Sequence, residues 1–129
     1  MPEERPRRVL VVDDDAAITA TFEKILRGEG YEVATATDGE EAIQKARQTA
    51  FDFVLLDLVM PRMDGLTALR YLNSVAPDAR VVILSAYLGR NWEAEALRLG
   101  AAAVLPKPPD IPKLLRLCDE LTRPRAAGG

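Results

Sequence analysis

Apolar positions along this chain follow two alternating rhythms. Short unbroken runs, such as "RVLVVD" at 8–13, "FDFVLLD" at 51–57 and "RVVILS" at 80–85, alternate with stretches in which apolar residues return every three or four positions. An unbroken run suits a strand buried on both faces, and the wider spacing suits a helix with one buried face. "YEVATAT" at 31–37 instead alternates in the manner of a strand near a sheet edge, and "AAVLP" at 102–106 is a short fifth candidate.

The first helix is expected from Asp15 to about Arg27, with Ile18, Phe22, Ile25 and Leu26 at helical spacing and Gly28 or Gly30 as the stop. Asp38 followed by Glu41 is the capping-box arrangement for a second helix carrying Ala42, Ile43 and Ala46. Asp64 is the expected cap of a third helix with Leu66, Leu69 and Leu72 inward, and a fourth runs from about Asn91 to Leu99, ended by Gly100. Asp110 opens the last helix, with Ile111, Leu114, Leu115, Cys118 and Leu121 on its inner side. Strand and helix alternate throughout, so the expected fold is α/β: a doubly wound, five-stranded parallel sheet with right-handed crossovers and helices on both faces.

In such a sheet the functional crevice lies at the carboxyl ends of the strands. The residues there are Asp13 and Asp14 after the first strand, Asp57 after the third, Ser85 after the fourth and Lys107 after the fifth. Three converging carboxylates repel one another and call for a cation. A hard dication with oxygen ligands, Mg²⁺, suits a site with few protein ligands and several waters. With a lysine charge and a serine hydroxyl alongside, the set describes a pocket for a doubly charged oxyanion such as a phosphoryl group. Of the three neighbours in "VVDDDAAI", Asp15 is in register to cap the helix, which leaves Asp13 and Asp14 for metal.

Composition narrows the chemistry. The 129 residues suffice for one domain, at 48% hydrophobic and 29% charged, and no apolar run is long enough for a membrane span or secretory signal, so a soluble, cytoplasmic protein is expected. Net charge is −3 with the basic residues scattered, which argues against direct nucleic-acid binding. The chain has no histidine, which removes imidazole bases, most zinc sites and any phosphohistidine of its own. The first strand-to-helix turn lacks a glycine-rich loop, which argues against a bound nucleotide. The single cysteine, Cys118, sits at helix spacing from Leu114 and Leu121 and reads as core, while the lone tryptophan, Trp92, is expected to pack at the start of the fourth helix, with exposure on a partner surface as the alternative. Glu3, Glu4, Arg5, Arg7 and Arg8 read as a solvated lead-in.

The segments "VVDDD", "LLDLVMPRMDG", "ILSAY" and "LPKP", in this order and spacing, resemble the receiver domain of two-component response regulators, over about residues 8–121. The resemblance implies a flavodoxin-like strand order 2-1-3-4-5; the polar, proline-rich opening and the polar or small-residue end are expected to make 1–7 a flexible lead-in and 123–129 a flexible tail around a domain of 8–122. It implies that Asp57 accepts a phosphoryl group from a phosphohistidine on a histidine kinase or histidine phosphotransfer protein. Asp13, Asp14, Asp57 and the backbone carbonyl of Val59 would hold Mg²⁺. Lys107 would pair with Asp57 and later with the phosphoryl oxygens, while Ser85 would shift to bond the new group. The Lys107–Pro108 bond would be cis, aiming the lysine inward. The face made by the fourth helix, fifth strand and fifth helix would then engage a downstream partner or output domain, or form a homodimer. No enzymatic turnover is expected beyond this self-catalysed acceptance and slow loss of the group.

Two departures from the family stand out. The switch position three residues before the lysine, often aromatic, is Val104, and Pro109 replaces an apolar residue after "KP". Tyr87, beside the pocket, is expected to shield the phosphoaspartate. Two other readings compete: a small haloacid-dehalogenase-like phosphohydrolase using Asp13, with Asp15 as its second acid, and a receiver-fold scaffold that is never phosphorylated.

Overall fold

A computed structural model describes residues 6–57, 65–86 and 90–123, with Arg90 and Asn91 as backbone only. Among the described residues ten elements alternate strictly: β1 (Arg8–Val12), α1 (Ala16–Gly28), β2 (Glu32–Ala36), α2 (Gly39–Gln48), β3 (Phe53–Asp57), α3 (Gly65–Val75), β4 (Arg80–Ser85), α4 (Arg90–Arg98), β5 (Ala103–Pro106) and α5 (Ile111–Thr122). The strands form one parallel sheet in the order β2-β1-β3-β4-β5. The expected architecture and strand order are therefore observed.

The unbroken apolar runs are explained by the two faces of the sheet. In β1, Val9 and Val11 join Phe53, Leu55, Phe22, Leu26, Leu114 and Cys118 on the α1/α5 side, while Leu10 and Val12 join Val54, Leu56, Ala68, Leu69 and Leu72 on the α2/α3 side. Every second residue serves a different core, so the positions from Val9 to Val12 and from Phe53 to Leu56 all call for apolar side chains. Each such buried side chain contributes about 1.5–3 kcal/mol, and truncating Leu10 to alanine costs about 2–5 kcal/mol.

Local chemistry sets the helix ends. Asp15 accepts from Ala17 N at 2.9 Å and Ile18 N at 3.4 Å, as its register predicts. Asp38 accepts from Glu41 N at 2.8 Å, but Glu41 reaches back to the Thr37 amide and hydroxyl, one residue earlier than a standard capping box. Gly30 and Gly100 hold the positive φ values after α1 and α4, +95° and +108°. The expected Asp64 cap lies outside the described residues.

Two expectations are corrected. Arg7 and Arg8 are not a solvated lead-in: Arg7 donates to Asp119 Oδ1 at 2.8 Å and Thr122 Oγ1 at 3.2 Å, and stacks 5.0 Å from the Tyr31 ring centroid. Arg8 opens β1 and pairs with Glu32 at 3.0 Å. Trp92 does not pack inward; it is 46% exposed, whereas Ala96, one turn further along α4, is buried.

Candidate functional site

Backbone hydrogen bonds carry each rim residue to its place. Asp13 continues the β1 ladder by one step, its N–H donating to Ala36 O at 3.1 Å. Asp57 ends β3 opposite Leu84 of β4, so Ser85 stands one residue beyond it on the adjacent strand. Ser85 pairs with Pro106, and Lys107 N donates to Ser85 O at 2.9 Å, which places the lysine at the end of the next strand. Because β1 lies between β2 and β3, its carboxyl end is where crossovers change direction, the place at which doubly wound sheets open a crevice.

The side chains converge there. Ligand oxygens of Asp13, Asp14 and Asp57 all lie within 4.8 Å of one another. Asp13 and Asp57 are buried, Asp14 is exposed, and Ser85 is buried. Lys107 Nζ donates to Asp13 Oδ2 at 2.8 Å and lies 3.3 Å from Asp57 Oδ2. Burial of the ammonium pulls its pKa down, but the hydrogen bond to Asp13 and the charge of Asp57 outweigh that and hold it above the usual lysine range. The other oxygen of Asp13, Oδ1, accepts from Asp15 N at 2.9 Å. One buried carboxylate is thus anchored to both the lysine and the start of α1.

Five of the residues expected at the site, Asp13, Asp14, Asp57, Ser85 and Lys107, stand on this rim. The Lys107–Pro108 bond is cis. Val104 pairs with Ile83 in the sheet and is partly buried against the α2/α3 core, so no aromatic side chain occupies the switch position. Val59 and Tyr87 lie outside the described residues. Sequence reasoning missed that Asp13 is the nearer partner of Lys107. Nothing in the local sequence signals it, since the contact joins residues 94 positions apart.

The rival hydrolase reading needs the carboxylates of Asp13 and Asp15 directed at one point. Asp15 is instead turned onto the amides of α1 as its cap. Three close carboxylates, a lysine and a buried hydroxyl can hold a hard divalent cation and a phosphoryl-like anion side by side.

Comparison with known proteins agrees. A family model described as the response regulator receiver domain matches residues 9–119. The chain is 43% identical over 117 residues to the chemotaxis protein CheY of Treponema pallidum, covering 88% of this chain and 81% of that protein. It is 41% identical over 118 residues to the transcriptional regulatory protein ZraR of Klebsiella oxytoca, covering 91% of this chain but only 27% of that protein, so it spans about a quarter of such regulators. Among solved structures, a response regulator of Burkholderia pseudomallei with a phosphorylated aspartic acid, a calcium ion and citrate matches with TM-score 0.81 at 30% identity, covering 84% of this chain and 64% of that one. A CheX–CheY complex of Borrelia burgdorferi with BeF3 and Mg²⁺ matches with TM-score 0.82 at 34% identity, covering 90% and 89%.

Proposed function

The chain belongs to the response regulator receiver domain family, the receiver module of two-component signalling, and on that premise we propose that Asp57 is its phosphoacceptor. Receiver domains are signalling domains that interact with kinases and output domains. The observation that carries the assignment is the gathering of Asp13, Asp14 and Asp57 within 4.8 Å, with Lys107 Nζ 3.3 Å from Asp57.

A carboxylate oxygen of Asp57 attacks the phosphorus of a phosphohistidine on a histidine kinase or phosphotransfer protein. The P–O bond forms as the P–N bond breaks, and the leaving imidazole keeps the electron pair. Asp57 supplies only a nucleophile and needs no proton removed, which suits a site without histidine. Lys107 is close enough to follow the charge from the carboxylate onto the phosphoryl oxygens. Ser85, on the adjacent strand, offers a hydroxyl to one of them.

The donor set fits Mg²⁺: carboxylate oxygens, two buried and one exposed, with room for water on the Asp14 side. Asp13, Asp14 and Asp57 would hold it, and when bound it neutralises charge between the incoming phosphoryl oxygens and the acids. The main-chain oxygen of Val59 is assigned as a further ligand on the family resemblance. The product carries about two negative charges where the carboxylate carried one, and that local change biases the fold toward an altered α4/β5/α5 face for a downstream partner, output domain or second copy. A cytoplasmic location is part of the same reading; among the described residues no helix is long and apolar enough to cross a membrane.

Intact mass spectrometry after incubation with acetyl phosphate tests this. One added phosphoryl group, dependent on Mg²⁺ and absent in Asp57→Ala, is the expected result. No adduct under any condition would favour an unphosphorylated scaffold.

A further inference from the structure

α4 is held unevenly along its length. Trp92, Glu93 and Ala94 in its first half are all exposed. Among the described residues its apolar anchors come late: Ala96 is buried, Leu99 packs partly against the α2/α3 core and Ala101 is buried just past the helix. The end of the helix is also closed by its own backbone, with Leu99 N bonded to Glu95 O at 2.9 Å, Gly100 N to Leu97 O at 3.1 Å and Ala101 N to Ala96 O at 3.0 Å. Ala102 N then joins Val81 O at 2.7 Å and hands the chain to the sheet.

One side chain from outside completes this end. The amide of Asn73, on α3, donates through Nδ2 to Leu99 O, one of the carbonyls that a helix leaves unpaired at its C-terminus. The contact is close enough to dictate the neighbouring residue. A Cβ at Gly100 would overlap Asn73 Nδ2 and lie 3.2 Å from its Cγ, and the φ of +108° disfavours any side chain there. Asn73 and Gly100 form a matched pair, one supplying the amide and the other the space for it.

We infer that Asn73 is the positioning residue that fixes the pivot of α4: by clamping Leu99 O to α3 it makes reorganisation at Asp57 and Ser85 swing the Trp92 end about the Leu99–Gly100 turn instead of sliding the whole helix. The inference rests on the reading of Asp57 as phosphoacceptor. α4 starts beyond Ser85 at the site end of the sheet and ends at the opposite end, so the exposed Trp92, Glu93 and Ala94 lie in the half nearest the chemistry. A helix pinned at its far end converts a small displacement near the site into a larger excursion of the exposed Trp92.

Amide exchange of the full chain, with and without Mg²⁺ plus beryllium and fluoride, tests the pivot in the wild type, Asn73→Ala and Asn73→Asp. Aspartate keeps the size but lacks the N–H donor. In the wild type, the phosphoryl mimic should alter Trp92 emission and exchange at Ala94 and Glu95 while leaving Leu99, Gly100 and Ala101 unchanged. In both variants those last three amides should exchange about five-fold faster even without the mimic, and with it the response should spread to them. Exchange in β3 and phosphoryl acceptance at Asp57 should stay at wild-type levels, which separates a loosened turn from a loosened fold. Wild-type rates at Leu99–Ala101 in both variants, or a wild-type response as strong there as at Ala94 and Glu95, overturn the pivot alone. Silence throughout the wild type, at Ser85 as well as in α4, overturns the pivot together with the Asp57 reading.

Discussion

Lys107, at the end of β5, donates to Asp13, at the end of β1, across 2.8 Å, closer than its 3.3 Å approach to Asp57. The lysine thus neutralises the buried acid of the pair proposed to hold metal as well as the proposed nucleophile, and its removal leaves two buried carboxylates facing each other. Lys107→Ala should lower stability by about 1–3 kcal/mol in chelator-treated protein. Several millimolar Mg²⁺ should restore part of that loss by supplying the missing positive charge. Urea titrations with and without Mg²⁺ measure both; a loss that Mg²⁺ leaves unchanged contradicts a shared cation and lysine site.

The three acids differ in what their removal does to the fold. Asp14 is exposed, so Asp14→Asn should change stability by no more than about 0.5 kcal/mol. Asp13 is buried and bonded to both Lys107 and the Asp15 amide, so Asp13→Asn should cost about 1–3 kcal/mol. Both substitutions should abolish the rise in Tm that Mg²⁺ gives the wild type, since ligand binding stabilises the folded state by mass action. A full Mg²⁺ response in Asp14→Asn would remove that residue from the metal site.

Cys118 is fully buried on the inner face of α5, and burial pushes its thiol up to about 11. It should resist a maleimide at pH 8 in the folded protein and react readily in denaturant. Burial also raises the Tyr31 hydroxyl, its hydrogen-bond partner. Both groups stay protonated in the folded state at pH values where the unfolded chain gives up its protons. The stability contribution of the thiol is therefore complete at neutral pH and lost as pH rises from about 8.5, the free thiol value, toward about 11, while that of Tyr31 begins to be lost only above about 10, the free phenol value. Denaturant midpoints at pH 7, 9 and 10.5 should fall in that order, and the fall should shrink in Cys118→Ala.

β2 is an edge strand, and its two outward-facing carbonyls are covered: Arg27 donates to Val33 O at 2.9 Å and Lys45 donates to Thr35 O. Long cationic side chains laid on an edge block strand-to-strand association between copies. Arg27→Ala combined with Lys45→Ala should raise the concentration-dependent mass seen by light scattering, with little change in helix and strand content. An unaltered monomer-sized species at high concentration would show that the edge needs no such cover.

Much of this molecule can be read from its residues because strand ends are local. The runs "RVLVVD" and "FDFVLLD" specify both the buried strands and the acids that terminate them, and Asp15 separates from its neighbours by helix register alone. What could not be read was partner choice over distance. The preference of Lys107 for Asp13 depends on how β1 and β5 are staggered across two intervening strands. Arg7 looked solvated because its partners are distant in sequence: Asp119 and Thr122 come to it from α5, and Tyr31 from the turn before β2, whose Glu32 N donates to Arg7 O. Trp92 looked like core because large aromatics are highly buried on average, yet among the described side chains of α4 only Ala96 is fully buried.

The central claim is that one particular carboxylate on this rim, Asp57, becomes phosphorylated. After incubation with Mg²⁺ and acetyl phosphate, reduction with borohydride converts an acyl phosphate to a stable alcohol whose position peptide mass mapping reads directly. The account predicts homoserine at position 57 alone, lost when Mg²⁺ is chelated. Reduction at Asp13 or Asp14, or an acyl phosphate elsewhere that persists in Asp57→Ala, would contradict it.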